Sequence, residues 1–226
     1  MCFMKRLSLF IVIIATAFVG CKTINPSDFQ SDYQNANLLP RMSIWFDVPS
    51  FENAYGANSY SADGSTSPES PYGKGVFEVD SKTKIYTAEK RIQDACNIWV
   101  NDMQNNIMDP SGKRSGNIVL RIGNAYKKNN YKWSWLSGFT VGILNAFGMP
   151  MCSNKTELEV IVEIYDIRNN LVARFNERGT AKTYMAAYHG YYEFQRKAGA
   201  EALEDGLIKI KELIQRDYAS INAKLR

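Results

Sequence analysis

A chain of 226 residues with 45% hydrophobic residues fits one domain with a real core and leaves two domains cramped. Its 27 basic and 23 acidic residues give a net charge of +4, which falls further once Lys5 and Arg6 leave with the signal described next. So near a balance gives little long-range pull on polyanions, and nucleic acid is not an expected partner.

Lys5 and Arg6 form a short basic region, Leu7 to Val19 an apolar run broken only by Ser8 and Thr16, and Phe18-Val19-Gly20-Cys21 follows. This reads as a secretory signal over residues 1–20 ending in a lipobox, with cleavage between Gly20 and Cys21 and acyl chains on Cys21. Met4 is an alternative start. Residues 21–40 are polar, contain Pro26 and show no apolar period, as a tether does. Cys2 leaves with the signal, so Cys96 and Cys152 are the remaining thiols. In an oxidising compartment they either pair as a disulfide or, for Cys96 on an apolar helix face, serve as a small core residue.

Residues 41–226 read as a single α+β domain. Met42, Ile44, Phe46 and Val48 alternate with Ser43, Trp45 and Asp47, which predicts a first strand. From Pro49 to Gly75 the composition shifts to Ser, Gly, Pro, Asn and Tyr and predicts a long irregular loop. Val76 to Val79 is either a short strand or an extended segment. Ile92, Cys96, Trp99, Met103 and Ile107 lie on one stripe of a helix running from Thr87 to about Met108. Asn117 to Gly123 is a second strand. Glu157 to Tyr165 is a third, with Leu158, Val160, Val162 and Ile164 on one face and Glu157, Glu159 and Glu163 on a solvated one. Asn169-Asn170 supplies left-handed turn residues before a partner strand over Leu171 to Lys182. After Gly190, Leu203, Leu207, Ile210, Ile214, Tyr218, Ile221 and Leu225 mark a long C-terminal helix. The expected architecture is an antiparallel-rich sheet of about four strands packed by two amphipathic helices.

The lipobox, the strand Leu158 to Asp166 with its Asn169-Asn170 turn, Tyr188-His189-Gly190-Tyr191 and Ala198 to Leu203 resemble those of uncharacterised Gram-negative envelope lipoproteins. The layout from Asn117 to Ile214 is also similar to the small α+β domain of curli-secretion-channel and penicillin-binding-protein-activator lipoproteins. That resemblance implies an accessory or assembly role.

Residues 133–154 form an uncharged, glycine-rich apolar insert between Lys132 and Lys155. Ser134, Gly138, Gly142 and Ala146 recur every fourth residue and would give a helix one smooth membrane or oligomer face; a bent hairpin and a buried segment are the competing readings. Lys127, Lys128 and Lys132 precede it, either near anionic headgroups or as a charged loop. His189 is the sole histidine, so histidine-dependent catalysis has one candidate residue. Zinc, phosphate-loop and serine-hydrolase motifs are absent, and no catalytic residue, metal or cofactor is expected. The sequence thus points to a non-enzymatic lipid-anchored envelope protein, an outer-membrane lipoprotein facing the periplasm. Its expected partners are the membrane, itself or another envelope protein. The alternative is a periplasmic glycan- or peptide-binding module using the 49–75 loop and the tyrosines around His189.

Overall fold

The computed structural model describes residues 29, 35–56, 70–82, 89–131, 134–139, 150–186 and 191–225. The signal, Cys21, most of the tether, residues 57–69, Trp133, Gly142, Ala146 and His189 lie outside the described residues.

The first strand, β1 (Met42–Asp47), buries Met42, Ile44 and Phe46 as its alternation requires. It runs directly into helix α1 (Val48–Tyr55), within the stretch expected to be loop. Asp47 caps α1, its Oδ1 accepting from the Ser50 amide at 3.1 Å. Pro49 fits the first turn, and Gly56 closes the helix at φ 65°. Strand β2 (Val76–Val79) pairs antiparallel with β1. Helix α2 (Lys90–Asp102) follows and ends in a π turn over Met103–Ile107. Its predicted stripe of Ile92, Cys96, Trp99, Met103 and Ile107 is buried throughout.

Strand β3 (Gly116–Asn130) lies parallel to β1, so the sheet is mixed rather than purely antiparallel. It passes the glycine at which the sequence suggested it would stop. Ile122 pairs with Val160 and Ala125 with Leu158, so Gly123 and Asn124 bulge opposite Glu159 and the strand continues. A Cβ at Gly123 would lie 2.6 Å from Glu159 Oε2, the far end of a flexible side chain that can turn aside. The short helix α3 (Ser134–Phe139) precedes β4 (Pro150–Asp166) and β5 (Leu171–Ala186), which form a long antiparallel hairpin. In its turn only Asn169 is left-handed, at φ 64°. Asp166 closes the turn instead, accepting at 2.8 Å from the amides of Arg168 and Asn170. Helices α4 (Tyr191–Arg216) and α5 (Tyr218–Leu225) complete an α+β fold whose five strands are ordered β2-β1-β3-β4-β5.

The core lies between one sheet face and the helices. Ile118, Leu120, Ile122, Leu158, Val160, Val162, Ile164 and Phe175 meet the α2 stripe and Leu203, Leu207, Ile210 and Ile214 of α4. Each such side chain contributes about 1.5–3 kcal/mol of apolar burial. α4 reaches the sheet backbone to backbone: a Cβ on Gly179 would stand 1.8 Å from the Ala202 carbonyl oxygen and 2.7 Å from the Gly206 nitrogen. Two buried ion pairs then fix α4 against α2. Arg196 grips Asp94 with a fork of bonds at 2.7 and 2.9 Å, and the fully buried Lys211 donates to Asp102 Oδ1 at 2.8 Å.

The end of the expected tether is docked. Leu39 is fully buried, its amide donates to the Ile107 carbonyl at 2.8 Å, and its own carbonyl accepts from the Asp109 amide at 2.9 Å. Asn35 is buried as well and donates its amide to the Asn106 carbonyl, while Phe29 packs beside Ile98, Leu207 and Lys211. Cys96 and Cys152 are separate buried thiols rather than a disulfide, so the core reading describes Cys96.

Gly179→Ala is expected to cost about 3 kcal/mol in chemical denaturation because neither backbone can give way. Gly138→Ala, whose Cβ would meet open space, should leave stability unchanged or slightly raised. Burial pushes the Cys96 thiol up to about 12. The Cys96 peptide should therefore resist iodoacetamide at pH 8 until denaturant unfolds the chain, as mass mapping would show.

Candidate functional site

The sheet face turned away from the helices carries two polar arrangements of opposite character. The first centres on Arg121 of β3. Its Nε donates to Glu163 Oε2 at 3.0 Å, one terminal nitrogen bonds Asp47, and the other donates to the Tyr72 carbonyl at 2.6 Å. Burial would lower the Arg121 pKa, but Asp47 and Glu163 outweigh it and hold the guanidinium above its ordinary value. Tyr72 lies over this cluster, its ring 5.1 Å from Trp45 and 4.7 Å from Tyr165 between centroids. Its hydroxyl donates to Asn169 Oδ1 at 2.7 Å. Asn117 joins the same network, receiving the Trp45 indole N–H at 3.2 Å and donating to Asn169.

Every carboxylate oxygen in this cluster is occupied. Asp47 accepts from Arg121 and the Ser50 amide, Glu163 Oε2 accepts from Arg121 and Tyr165, and Glu163 Oε1 faces the Arg174 guanidinium at 3.6 Å as an ion pair. The expectation of a solvated Glu163 is thereby corrected: it is buried because Arg121 reaches across from β3 and the Tyr72 segment covers the pair. Glu157 and Glu159 do lie on the wetter part of this face. A bond from Lys155 holds Glu157 below its ordinary pKa, and bonds from Asn176 and Asn124 do the same for Glu159. Both shifts run opposite to what a general acid needs.

The second arrangement lies toward the far end of β3, β4 and β5. Lys128 pairs with Lys155 and Lys155 with Lys182, so three exposed lysines stand side by side on adjacent strands. Lys155 bonds Glu157 at 2.6 Å, and the Lys182 ammonium lies 5.3 Å from the exposed Tyr184 ring. Lys127, expected to cluster with Lys128, occupies the opposite face, where its ammonium lies 5.6 Å from the Tyr55 ring. Beyond the row, at the same end of the sheet, α3 exposes Trp135 by 69% and Phe139 by 82%. Tyr126 and Tyr131 are exposed on the final stretch of β3 and just after it.

Of the predicted small-residue face, Ser134 and Gly138 fall on α3, and Gly138 is open to solvent. α3 is six residues long, and no helix among the described residues is long and apolar enough to cross a membrane. The end of the insert, Pro150 to Asn154, belongs to β4. Among the described residues no group of acidic, histidine or cysteine side chains could hold a metal ion.

No protein-family model matches the chain, and no curated protein matches it. Among solved structures, a "putative lipoprotein from Caulobacter crescentus CB15" matches with 12% identity, covering 60% of this chain and 78% of that chain, at a TM-score of 0.29. A superposition of that quality establishes neither fold nor function.

Tyr72→Ala is expected to cost about 3 kcal/mol and to open the Lys74 peptide bond to trypsin under native conditions. Burial raises the Tyr72 hydroxyl pKa from 10.0 to about 12. Since the folded value exceeds the unfolded one, its stabilising share is complete below pH 10 and is lost as pH rises through 12. A spectroscopic tyrosine titration should show one late-ionising group fewer in Tyr72→Phe than in the wild type, while Tyr55 and Tyr165, also raised by burial, still ionise late.

Proposed function

We propose that this chain is a lipid-anchored envelope protein, attached through acyl chains on Cys21 and facing the periplasm from the outer membrane, with an accessory or assembly role that is not enzymatic. The observation that carries the reading is the basic, apolar and Gly20-Cys21 sequence of the first 21 residues, followed by a chain that soon joins the fold at Phe29 and Asn35. The eight Cα–Cα steps from Cys21 to Phe29 span at most about 28 Å when fully extended. Acyl chains on Cys21 would therefore hold the domain against the bilayer rather than far out in the periplasm. Two or more chains make such attachment stable where one does not.

The polar groups of the described fold support a role in contact rather than chemistry, because the Arg121 cluster and the α2–α4 ion pairs spend their charges on one another. Sorting to the outer membrane accords with Lys22, which is not acidic, after the lipidated cysteine. The glycan or peptide alternative loses part of its proposed surface: α1 and Tyr72, both from the 49–75 stretch, are packed into the fold.

Fractionation of the native chain beside Cys21→Ser tests the proposal. The wild type should resist salt and carbonate washes, dissolve in detergent and carry acyl mass on the Cys21 peptide. Cys21→Ser should remain unacylated and leave the membrane under carbonate. A wild-type Cys21 peptide without added mass would refute the anchor.

A further inference from the structure

Outside one row, the exposed sheet face follows a consistent charge pattern. Arg174 and Arg121 flank Glu163, Arg178 pairs with Glu157, and Asn124 and Asn176 serve Glu159. Opposite charges and amides thus neutralise each acid in turn. In the row Lys128, Lys155, Lys182 one acid, Glu157 on Lys155, serves three cations, and like charges directly opposite on neighbouring strands oppose sheet formation. Protection of an exposed sheet edge would account for Lys182, since β5 is an edge strand. β3 pairs with β1 only as far as Leu120, so the same reason reaches Lys128, and Lys155 alone is on a strand paired on both sides.

The core does not account for the aromatic helix at the same end. Trp135 and Phe139 are one helical turn apart and present their rings outward together. The other large exposed apolar side chains near a turn, Ile167 and Leu171, stand at the opposite end of the hairpin with no lysine row beside them. An aromatic pair next to a concentrated positive row combines the two features an interfacial membrane contact uses: rings at headgroup depth and cations against anionic lipid.

We infer that the row Lys128–Lys155–Lys182 and the outward face of α3 form a second membrane contact, docking this end of the sheet on an anionic lipid surface. The inference rests on the lipid-anchored reading, because the anchor keeps the bilayer within the short reach of residues 21–29. Binding anionic headgroups relieves the repulsion within the row, and Trp135 and Phe139 set the depth of contact. The domain is thereby oriented on the bilayer instead of swinging on its anchor.

The test uses full-length acylated protein in vesicles of brominated phosphatidylcholine, with and without phosphatidylglycerol. Trp99 is fully buried in the core, so quenching by bromine reports on outer tryptophans, and Trp135→Phe assigns the signal. Quenching should require phosphatidylglycerol and fall with added salt. The docked-to-free ratio should drop on the order of a hundredfold in K128Q/K155Q/K182Q and return in K128R/K155R/K182R, given about fivefold per lysine at an anionic surface. Equal quenching in the glutamine variant, or quenching indifferent to phosphatidylglycerol, would overturn the inference. So would absent quenching together with a doubled particle mass that Trp135→Ser abolishes, which would make the surface an interface between two copies. Vesicle flotation reads the anchor separately: acylated variants that float without quenching defeat this contact alone, whereas a wild type that is not acylated defeats the anchor.

Discussion

Arg121 holds together parts of the molecule that would otherwise share only backbone pairing. One guanidinium binds the last residue of β1, the middle of β4 and the carbonyl of Tyr72, and Asp47, which it binds, also caps α1. The same corner repairs the ladder where β1 ends. The Ser50 hydroxyl donates to the Asp47 carbonyl at 2.8 Å and accepts the Ile122 amide at 3.1 Å, so a helical residue replaces the missing strand partner. An arginine partly open to solvent but flanked by two buried carboxylates is stabilising only as a set. Removing it would leave the buried Asp47 without a counter-charge and Glu163 with only the exposed Arg174 at 3.6 Å, a larger penalty than a lost surface pair.

Much of the fold was legible because its core obeys simple periods. Leu158, Val160, Val162 and Ile164 alternate as a half-buried strand must, and the α2 stripe steps by three and four through Ile107. α1 was hidden by its surroundings: a Ser, Gly and Pro-rich context masked Asp47-Val48-Pro49-Ser50, a capped helix start, and the buried Val48, Phe51 and Tyr55 that follow it at helical spacing. The extension of β3 past Gly123 was illegible for a different reason. A bulge preserves the pairing while breaking the alternation, and only the partner strand reveals it.

The polar sites were less legible, because period explains where a charge lies but not what reaches it. Glu163 fits a solvated strand face until Arg121 and Tyr72 arrive from elsewhere in the chain. Asp94 and Asp102 stand on the buried side of α2, where acids mark partners on another element, here Arg196 and Lys211. Lys128, Lys155 and Lys182 are far apart in sequence, and strand register alone brings them into a row. The two ends of the outer face thus divide the work: one satisfies its charges internally, and the other presents cations and aromatic rings outward.

Cooperative use of Arg121, rather than a set of independent contacts, closes the outer face. A double-mutant cycle with Arg121→Met and Glu163→Gln, measured by reversible chemical denaturation, addresses it directly. Two groups that stabilise the fold as a unit predict a coupling of about 2 kcal/mol, the double variant being much less unstable than the sum of the single ones. Additive losses, with a coupling near zero, would contradict the claim and reduce the cluster to separate surface interactions.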